Sequence, residues 1–164
     1  MKRLLPIIAA GLMVAGSAAN RPATADEETK VNAGASGPYM PGLGEFMLAA
    51  QLHHNKLFFA GDAGNWDLAS YEIDELKEAL SNGAKFYPKQ DTFDVAAGMK
   101  ANIDGPIDQL GKAVDGKDKA GFASAYTVLT TACTNCHASS KHAFIRIVKP
   151  STPAITNQNY APAK

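Results

Sequence analysis

The residues best suited to chemistry form one short stretch near the C-terminal end, Cys133-Thr134-Asn135-Cys136-His137. Two thiols three positions apart lie on one turn of a helix, where each can form a thioether to a vinyl group of a haem. The imidazole of His137 follows at once and is placed to bind the iron. The chain has two cysteines and both lie in this motif. The sequence therefore predicts one haem c bound covalently by Cys133 and Cys136, with His137 as the proximal iron ligand.

Three other uses of a Cys-x-x-Cys pair fit the sequence less well. A redox dithiol of the thioredoxin type opens a helix after a strand near the start of its domain, whereas this pair lies near the end of the chain. A structural zinc site needs about four protein ligands, and no second cysteine pair or histidine cluster supplies the rest. A disulfide across so short a loop would be strained. The motif therefore favours haem.

The N-terminal segment has the form of a secretory signal peptide. Residues 1–3 include the basic pair Lys2-Arg3, residues 4–15 are apolar, and residues 23–25 form an A-x-A cleavage site. We therefore predict a signal peptide over 1–25, with cleavage after Ala19 as the competing site. The apolar run is too short to span a bilayer comfortably, so we expect no stable membrane span after cleavage. Haem is attached to c-type apoproteins outside the bacterial cytoplasm, and the predicted location is therefore the periplasm.

The balance of charge argues against a nucleic-acid partner. The chain has 16 basic and 16 acidic residues. Loss of residues 1–25 removes Lys2, Arg3 and Arg21, which leaves 13 basic and 16 acidic residues and a formal net charge of −3. A nucleic-acid-binding domain carries a strongly basic surface instead. We therefore expect periplasmic redox proteins as partners and no nucleic acid.

Composition divides the predicted mature chain into three parts. Residues 26–41 are polar and rich in Gly, Ala, Ser and Pro, so they bury little apolar surface and are expected to form a flexible leader. Residues 42–148 have helical periodicity and form the predicted domain. Residues 149–164 contain three prolines and are predicted to be a tail, which is either frayed or held against the domain by Ile155 and Tyr160.

Apolar residues in the predicted domain recur at spacings of three and four, which is the pattern of amphipathic helices. Breaks in this pattern separate four helical regions, roughly 43–60, 65–87, 92–114 and 119–144. Asn65 or Asp67 is expected to cap the second helix and Asp118 the fourth. Gly105-Pro106 falls inside the third region, which is predicted to be a short helix, a break and a second segment. The predicted fold is an all-α, antiparallel four-helix bundle with the haem on its last helix.

Four helices with Cys-x-x-Cys-His near the end of the last one resemble the layout of class II cytochromes c over residues 43–145. This family includes the high-spin cytochromes c′ and low-spin relatives with a methionine as sixth iron ligand. The resemblance implies a haem inside the bundle with its far face toward the first helix, and a homodimer built on the first two helices. In cytochromes c′ an aromatic residue and an arginine commonly follow the iron-binding histidine, where this chain has Ser140 and Lys141.

The far side of the iron must be filled from another helix, and Met47 on the first helix is the predicted distal ligand. A thioether sulfur there would bind the iron and raise its reduction potential. Alternatively, Met47 is a flexible core residue and Phe46 or Leu43 covers an open iron. His53 and His54 are a third alternative, but adjacent helical residues point about 100° apart, so at most one of them could face the haem. The inward face of this helix is predicted to carry Met47, Gln51, His54 and Phe58.

Two functions follow from these alternatives for the distal side. With a sixth ligand from Met47, the protein is expected to carry single electrons between periplasmic redox partners and to catalyse no bond chemistry. With an open iron beside apolar residues, it is expected to bind nitric oxide or carbon monoxide, as cytochromes c′ do. A peroxidase-like enzyme has little support, because such a site needs a polar distal acid–base pair.

Overall fold

The computed structural model of the protein describes residues 39–163. The predicted signal peptide at 1–25 and the part of the predicted leader before residue 39 lie outside the described residues. Contacts with the helices already begin at the end of that leader. The Tyr39 hydroxyl donates to the Glu45 carboxylate, and the carbonyl of Pro41 accepts from the Tyr87 hydroxyl at 2.8 Å.

Helices make up most of the described chain, which confirms the predicted all-α class. The elements in chain order are α1 (Leu43–Asp62), α2 (Trp66–Phe86), β1 (Lys89–Gln90), β2 (Phe93–Asp94), α3 (Val95–Asn102), α4 (Asp104–Asp115) and α5 (Lys119–Ser139). The two strands form a small antiparallel hairpin that pairs Lys89 with Asp94 and Gln90 with Phe93. This hairpin was not predicted from the sequence, because two-residue strands are too short to show alternation.

Polar side chains cap three of the helices, α2, α3 and α5. The Asn65 carboxamide oxygen accepts from the Leu68 amide at 3.2 Å, so Asn65 and not Asp67 caps α2. The Asp118 carboxylate accepts from the amides of Ala120 and Gly121 at 3.1 and 3.0 Å, as predicted for the last helix. Each cap satisfies amide groups that the first helical turn leaves without an internal partner.

The predicted third helix is broken as expected, slightly earlier than Gly105-Pro106. Helices α3 and α4 are separated by Ile103 alone. Pro106 is the third residue of α4, within the first turn, where an amide hydrogen is not needed for the helical ladder. The break therefore lies N-terminal to the proline, and the described part of the chain has five helices because the third predicted region is divided into α3 and α4.

Helix α5 ends at Ser139, so its predicted extension to 144 is wrong. Lys141 has a left-handed backbone with φ of 66°. Its amide donates to the carbonyl of Ala138 at 3.3 Å, and the His142 amide donates to the carbonyl of His137 at 2.8 Å. This pair of hydrogen bonds is the Schellman arrangement that closes a helix. Here a lysine occupies the left-handed position that glycine usually takes, which conceals the helix end in the sequence.

Helix α1 is antiparallel to both α2 and α5. Against α2, Met47 lies beside Gly83 and His53 contacts Glu72, so rising numbers on one helix meet falling numbers on the other. Against α5, Gly61 packs on the ring of Phe122, which leaves no room for a Cβ at this position. The buried core between the helices consists of apolar residues with one buried tyrosine from the tail. Its largest members are Tyr126, Phe122, Leu57, Leu110 and Leu129.

The C-terminal tail packs against α1 and is not frayed. The Asn55 side chain donates to the carbonyl of Thr152 at 3.2 Å and accepts from the amide of Ala154 at 2.8 Å. Tyr160 is buried, with its ring 5.7 Å from that of Phe59. Of the two predicted contacts, Tyr160 therefore holds the tail most firmly. Among the described residues, none of the helices is sufficiently long and apolar to cross a membrane.

Candidate haem-binding site

The motif residues lie on the last two turns of α5, where the helix holds both thiols at a fixed spacing. Cys133 and Cys136 are free and half-buried. Burial raises the pKa of Cys133 to about 11, with a smaller contribution from Cys136, and burial also raises the pKa of Cys136. A redox dithiol needs a lowered thiol pKa. The environment of this pair is therefore the opposite of a thioredoxin-like site.

The His137 ring has an unsatisfied nitrogen. Its Nδ1 is buried and has no hydrogen-bond partner among the described residues. Burial lowers the pKa of His137, and His142 nearby lowers it further, so the ring is neutral at pH 7. Neutral imidazole is the form that binds metal ions. A buried polar atom without a partner costs about 1–3 kcal/mol, so this histidine fits a site that another group completes.

The surroundings of the motif do not form an alternative metal site. No group of three or more His, Cys, Asp or Glu side chains within residues 39–163 could hold a metal ion. A structural zinc ion needs about four such ligands. Cys133, Cys136 and His137 therefore fit a haem, whose porphyrin supplies four iron ligands itself, and do not fit a protein-bound zinc.

Thr134, inside the motif, ties the tail to α5. Its hydroxyl donates to the carbonyl of Ile147 at 3.0 Å and accepts from the amide of the same residue at 3.0 Å. The chain that leaves α5 thereby folds back over the turn that carries the motif. This role of Thr134 could not be predicted, because nothing in the sequence distinguishes a threonine that binds a residue thirteen positions away from an exposed one.

The antiparallel register of α1 and α5 carries Met47 to the level of the motif. His54 meets Thr130 across the two helices at 3.0 Å. Seven residues back along α1 lies Met47, and seven residues on along α5 lies His137. Both steps move about 10 Å in the same direction, because an α-helix rises about 1.5 Å per residue.

The end of the Met47 side chain lies against α2. A Cβ placed on Gly83 would be 3.2 Å from Met47 Cε, 3.3 Å from Leu43 Cδ1 and 3.4 Å from Phe46 Cβ. The three candidates for the distal side of the iron, Leu43, Phe46 and Met47, thus all lie around Gly83. Gly83 allows α1 to approach α2 closely at this end of the molecule.

His54 faces α5 as predicted, but both of its ring nitrogens have partners. The Thr130 hydroxyl donates to the Tyr126 carbonyl at 2.8 Å, so its oxygen is left to accept from His54 Nε2–H at 3.0 Å. The Tyr126 hydroxyl lies 2.9 Å from both Nδ1 and the carbonyl of His54. Burial lowers the pKa of His54 to about 4. This histidine is therefore neutral, with no free nitrogen for iron.

His53 faces α2 instead. Its Nδ1 lies 2.8 Å from the Glu72 carboxylate and its Nε2 lies 3.9 Å from Glu75. Neither adjacent histidine is therefore placed to bind iron beside α5, because His54 has partners on both nitrogens and His53 faces α2. Gln51 is exposed, so its predicted place on the inward face of α1 is wrong. The buried stripe of this helix is narrower, and its fully buried members are Ala50, His54, Leu57, Ala60 and Gly61.

Comparison with protein-family models, curated proteins and solved structures found no match for this chain. The case for haem therefore depends on the motif and on the geometry around the end of α5.

Proposed function

We propose that this protein is a monohaem c-type cytochrome of the bacterial periplasm that carries single electrons between redox partners. One haem c would be bound through Cys133 and Cys136, with His137 as the proximal iron ligand. The observation that carries the proposal is the end of α5, where two half-buried thiols and a neutral histidine with a buried, unpartnered Nδ1 share two helical turns. In this proposal the protein transfers electrons and makes or breaks no covalent bond of a substrate, so it is an electron carrier and not an enzyme.

A bound haem would supply a one-electron iron couple. The role of the polypeptide would be to hold the haem rigidly and to exclude water from it. Cys133 and Cys136 would fix its position and His137 would bind its iron. The Schellman end of α5 supports the backbone of His137, whose carbonyl accepts from the His142 amide. Rigid helical support favours fast electron transfer, because little of the protein has to move when the charge on the iron changes.

The proposed architecture is an antiparallel four-helix bundle of α1, α2, α4 and α5. In this interpretation α3 is the broken first part of the third helix, since Ile103 alone separates it from α4. Contacts of α1 with both α2 and α5, and an ion pair at 3.7 Å between Lys77 of α2 and Asp108 of α4, support this arrangement. Such bundles bind cofactors between facing helices.

Binding of nitric oxide or carbon monoxide is the second candidate function. The observation in its favour is the position of Met47, whose methyl carbon lies against Gly83 of α2. If the sulfur stays there when haem is bound, the far side of the iron is left to apolar neighbours such as Leu43 and Phe46. If the side chain turns toward the iron, electron transfer is the better description.

Mass spectrometry of the mature protein tests the attachment. After expression with a working haem-attachment system, the protein should gain the mass of one haem. Cys133→Ser or Cys136→Ser should weaken or abolish this gain, whereas Asn135→Ser, an exposed position inside the same motif, should leave it unchanged. A mass equal to that of the bare polypeptide would refute the proposal.

Absorption spectra distinguish the two functions. A weak band at the red end of the oxidised spectrum that disappears in Met47→Ala establishes sulfur ligation and electron transfer. Met99→Ala is the matched control, since Met99 is a half-buried methionine on α3. A high-spin spectrum in the unmodified protein that changes at once with carbon monoxide would instead establish gas binding.

A further inference from the structure

Charge is strongly segregated along the chain. Residues 119–164 contain five basic and no acidic residues. Residues 26–118 contain eight basic and all 16 acidic residues. The net charge is therefore +5 in the part that carries the motif and −8 in the rest of the predicted mature chain. Three of these five cations, Lys141, Arg146 and Lys149, follow His137 within twelve residues, so the segment next to the motif is basic in a protein with a net charge of −3.

The basic residues next to the motif flank exposed apolar side chains. We call residues 141–149, which follow α5, the basic ridge. Its cations are Lys141, Arg146 and Lys149, all exposed. Its exposed apolar side chains are Phe144, Ile145 and Val148, with 78, 37 and 67% of their surface accessible.

Contacts with α5 and α1 hold the C-terminal part of the ridge in place. Thr134 binds both backbone groups of Ile147. The Lys149 ammonium lies 4.7 Å from the centre of the Phe58 ring on α1. No acidic side chain in residues 39–163 forms an ion pair with the three cations of the ridge. The cations therefore remain available to an external partner.

We propose that the basic ridge is the docking surface for an acidic, apolar-centred patch on a periplasmic redox protein, an inference that rests on the proposed function. Protein interfaces combine an apolar core, often with aromatic and arginine side chains, and a polar rim. Phe144 and Val148 supply such a core, and the cations supply the rim. The ridge begins four residues after His137, so a partner bound there lies beside the haem.

An anionic lipid surface fits the ridge less well than an acidic protein. Lipid-binding basic clusters usually contain about four to eight cations, or lie on an amphipathic helix. The ridge has three cations and forms no helix after Ser139. The excess of negative charge elsewhere in the chain would also be repelled by an extended anionic membrane, while a small acidic patch meets only the ridge.

Adsorption to a carboxylate-terminated monolayer tests the electrostatic part of the proposal. At about 10 mM salt, where screening is weak, the unmodified mature protein should adsorb despite its negative net charge, as measured by surface plasmon resonance. Lys141→Glu combined with Arg146→Glu should slow adsorption by about tenfold. The control Lys112→Glu with Lys117→Glu changes the net charge equally but on exposed residues far from the motif, and should adsorb like the unmodified protein. Equal losses in both variants would overturn the proposal.

A mixed monolayer of methyl and carboxylate groups tests the apolar part. Phe144→Ser with Val148→Ser should adsorb several-fold more weakly there than the unmodified protein. The control Leu48→Ser with Tyr71→Ser removes comparably exposed apolar side chains from α1 and α2 and should show no loss. No difference between the two variants would contradict docking through the ridge.

Two further measurements separate the remaining outcomes. Adsorbed mass does not require haem, so a protein that adsorbs through the ridge but gives no voltammetric current would refute the proposed function and leave the ridge as a binding surface. Co-sedimentation with phosphatidylglycerol vesicles that persists at about 1 M salt, where the Debye length is about 3 Å, would replace the protein partner by a lipid surface and overturn the proposal.

Discussion

Two adjacent histidines of α1 lie in different electrostatic environments. His54 is 4% exposed and contacts hydroxyl groups of α5, from Tyr126 and Thr130. His53 contacts the carboxylate of Glu72 on α2, which also meets the ammonium of Lys56. Consecutive residues on a helix point about 100° apart, so neighbours in sequence meet different helices.

Helix α1 is therefore held to α2 and to α5 by different kinds of interaction. A neutral hydrogen-bonded network joins it to α5, three residues before Cys133. An ionic network joins it to α2, around a Glu72 carboxylate that is fully buried. The neutral network orients the helix that carries the motif, while the ionic network fixes the far side of α1. Substitutions in one network should leave the other intact, so the two can be tested separately.

Glu72→Ala should have the largest effect. It leaves Lys56, whose side chain is 14% exposed, as a mostly buried cation without its counter-charge, and should lower the free energy of unfolding by about 4 kcal/mol. Urea denaturation at pH 7 measures the change. Glu75→Ala is the matched control, because Glu75 is one-third exposed and 3.9 Å from His53, and should lose well under 1 kcal/mol. Similar losses in both variants would contradict a buried ionic network.

Acid should destabilise the protein through His54. Its folded-state pKa of about 4 is below the ordinary value of 6.5, so the unfolded chain binds a proton first as the pH falls. The stabilisation by the neutral ring is therefore complete above about pH 6.5 and lost as the pH falls toward 4. The loss is about 3 kcal/mol. Urea denaturation between pH 7 and 4 measures it.

His54→Gln is the control for this pH dependence. The other three histidines are present in both proteins, so the difference between the two curves isolates His54. Parallel curves for the variant and the unmodified protein would show that His54 is not buried in a neutral form.

Tyr126→Phe should destabilise by about 2 kcal/mol, because it removes the one hydroxyl hydrogen that His54 Nδ1 and the His54 carbonyl share in a buried position. Thermal or urea denaturation measures the loss. Tyr71→Phe removes a hydroxyl from a tyrosine that is 53% exposed, and should change stability by less than about 0.5 kcal/mol. A neutral result for Tyr126→Phe would mean that the hydroxyl is solvated and not part of the network.

Asn55→Ala should have the smallest effect on stability, about 1 kcal/mol. It removes the two hydrogen bonds to Thr152 and Ala154 that hold the tail on α1. Amide hydrogen exchange should increase at Ala154 and remain unchanged within α5. Gln51→Ala, at an exposed position of the same helix, is the control and should leave exchange in the tail unaltered.

Much of the fold could be predicted because its signals are local. The start of α1, the caps at Asn65 and Asp118, and the break near Pro106 each depend on a few consecutive residues. The end of α5 could not be predicted in the same way, since Lys141 adopts the left-handed conformation that usually identifies itself by a glycine. The short hairpin before α3 carries too few residues for a periodic signal.

The same distinction between local and long-range features applies to the candidate site. The spacing of Cys133, Cys136 and His137 is a property of consecutive residues, so the sequence alone determined that two thiols and an imidazole share the end of one helix. The partners of His53 and His54, the contact of Met47 with Gly83 and the hydrogen bonds of Thr134 to Ile147 were decided by the tertiary structure. Each joins residues far apart in the chain. Which donor or acceptor a side chain meets depends on how the helices pack, and helical periodicity specifies a face but not the neighbour that covers it.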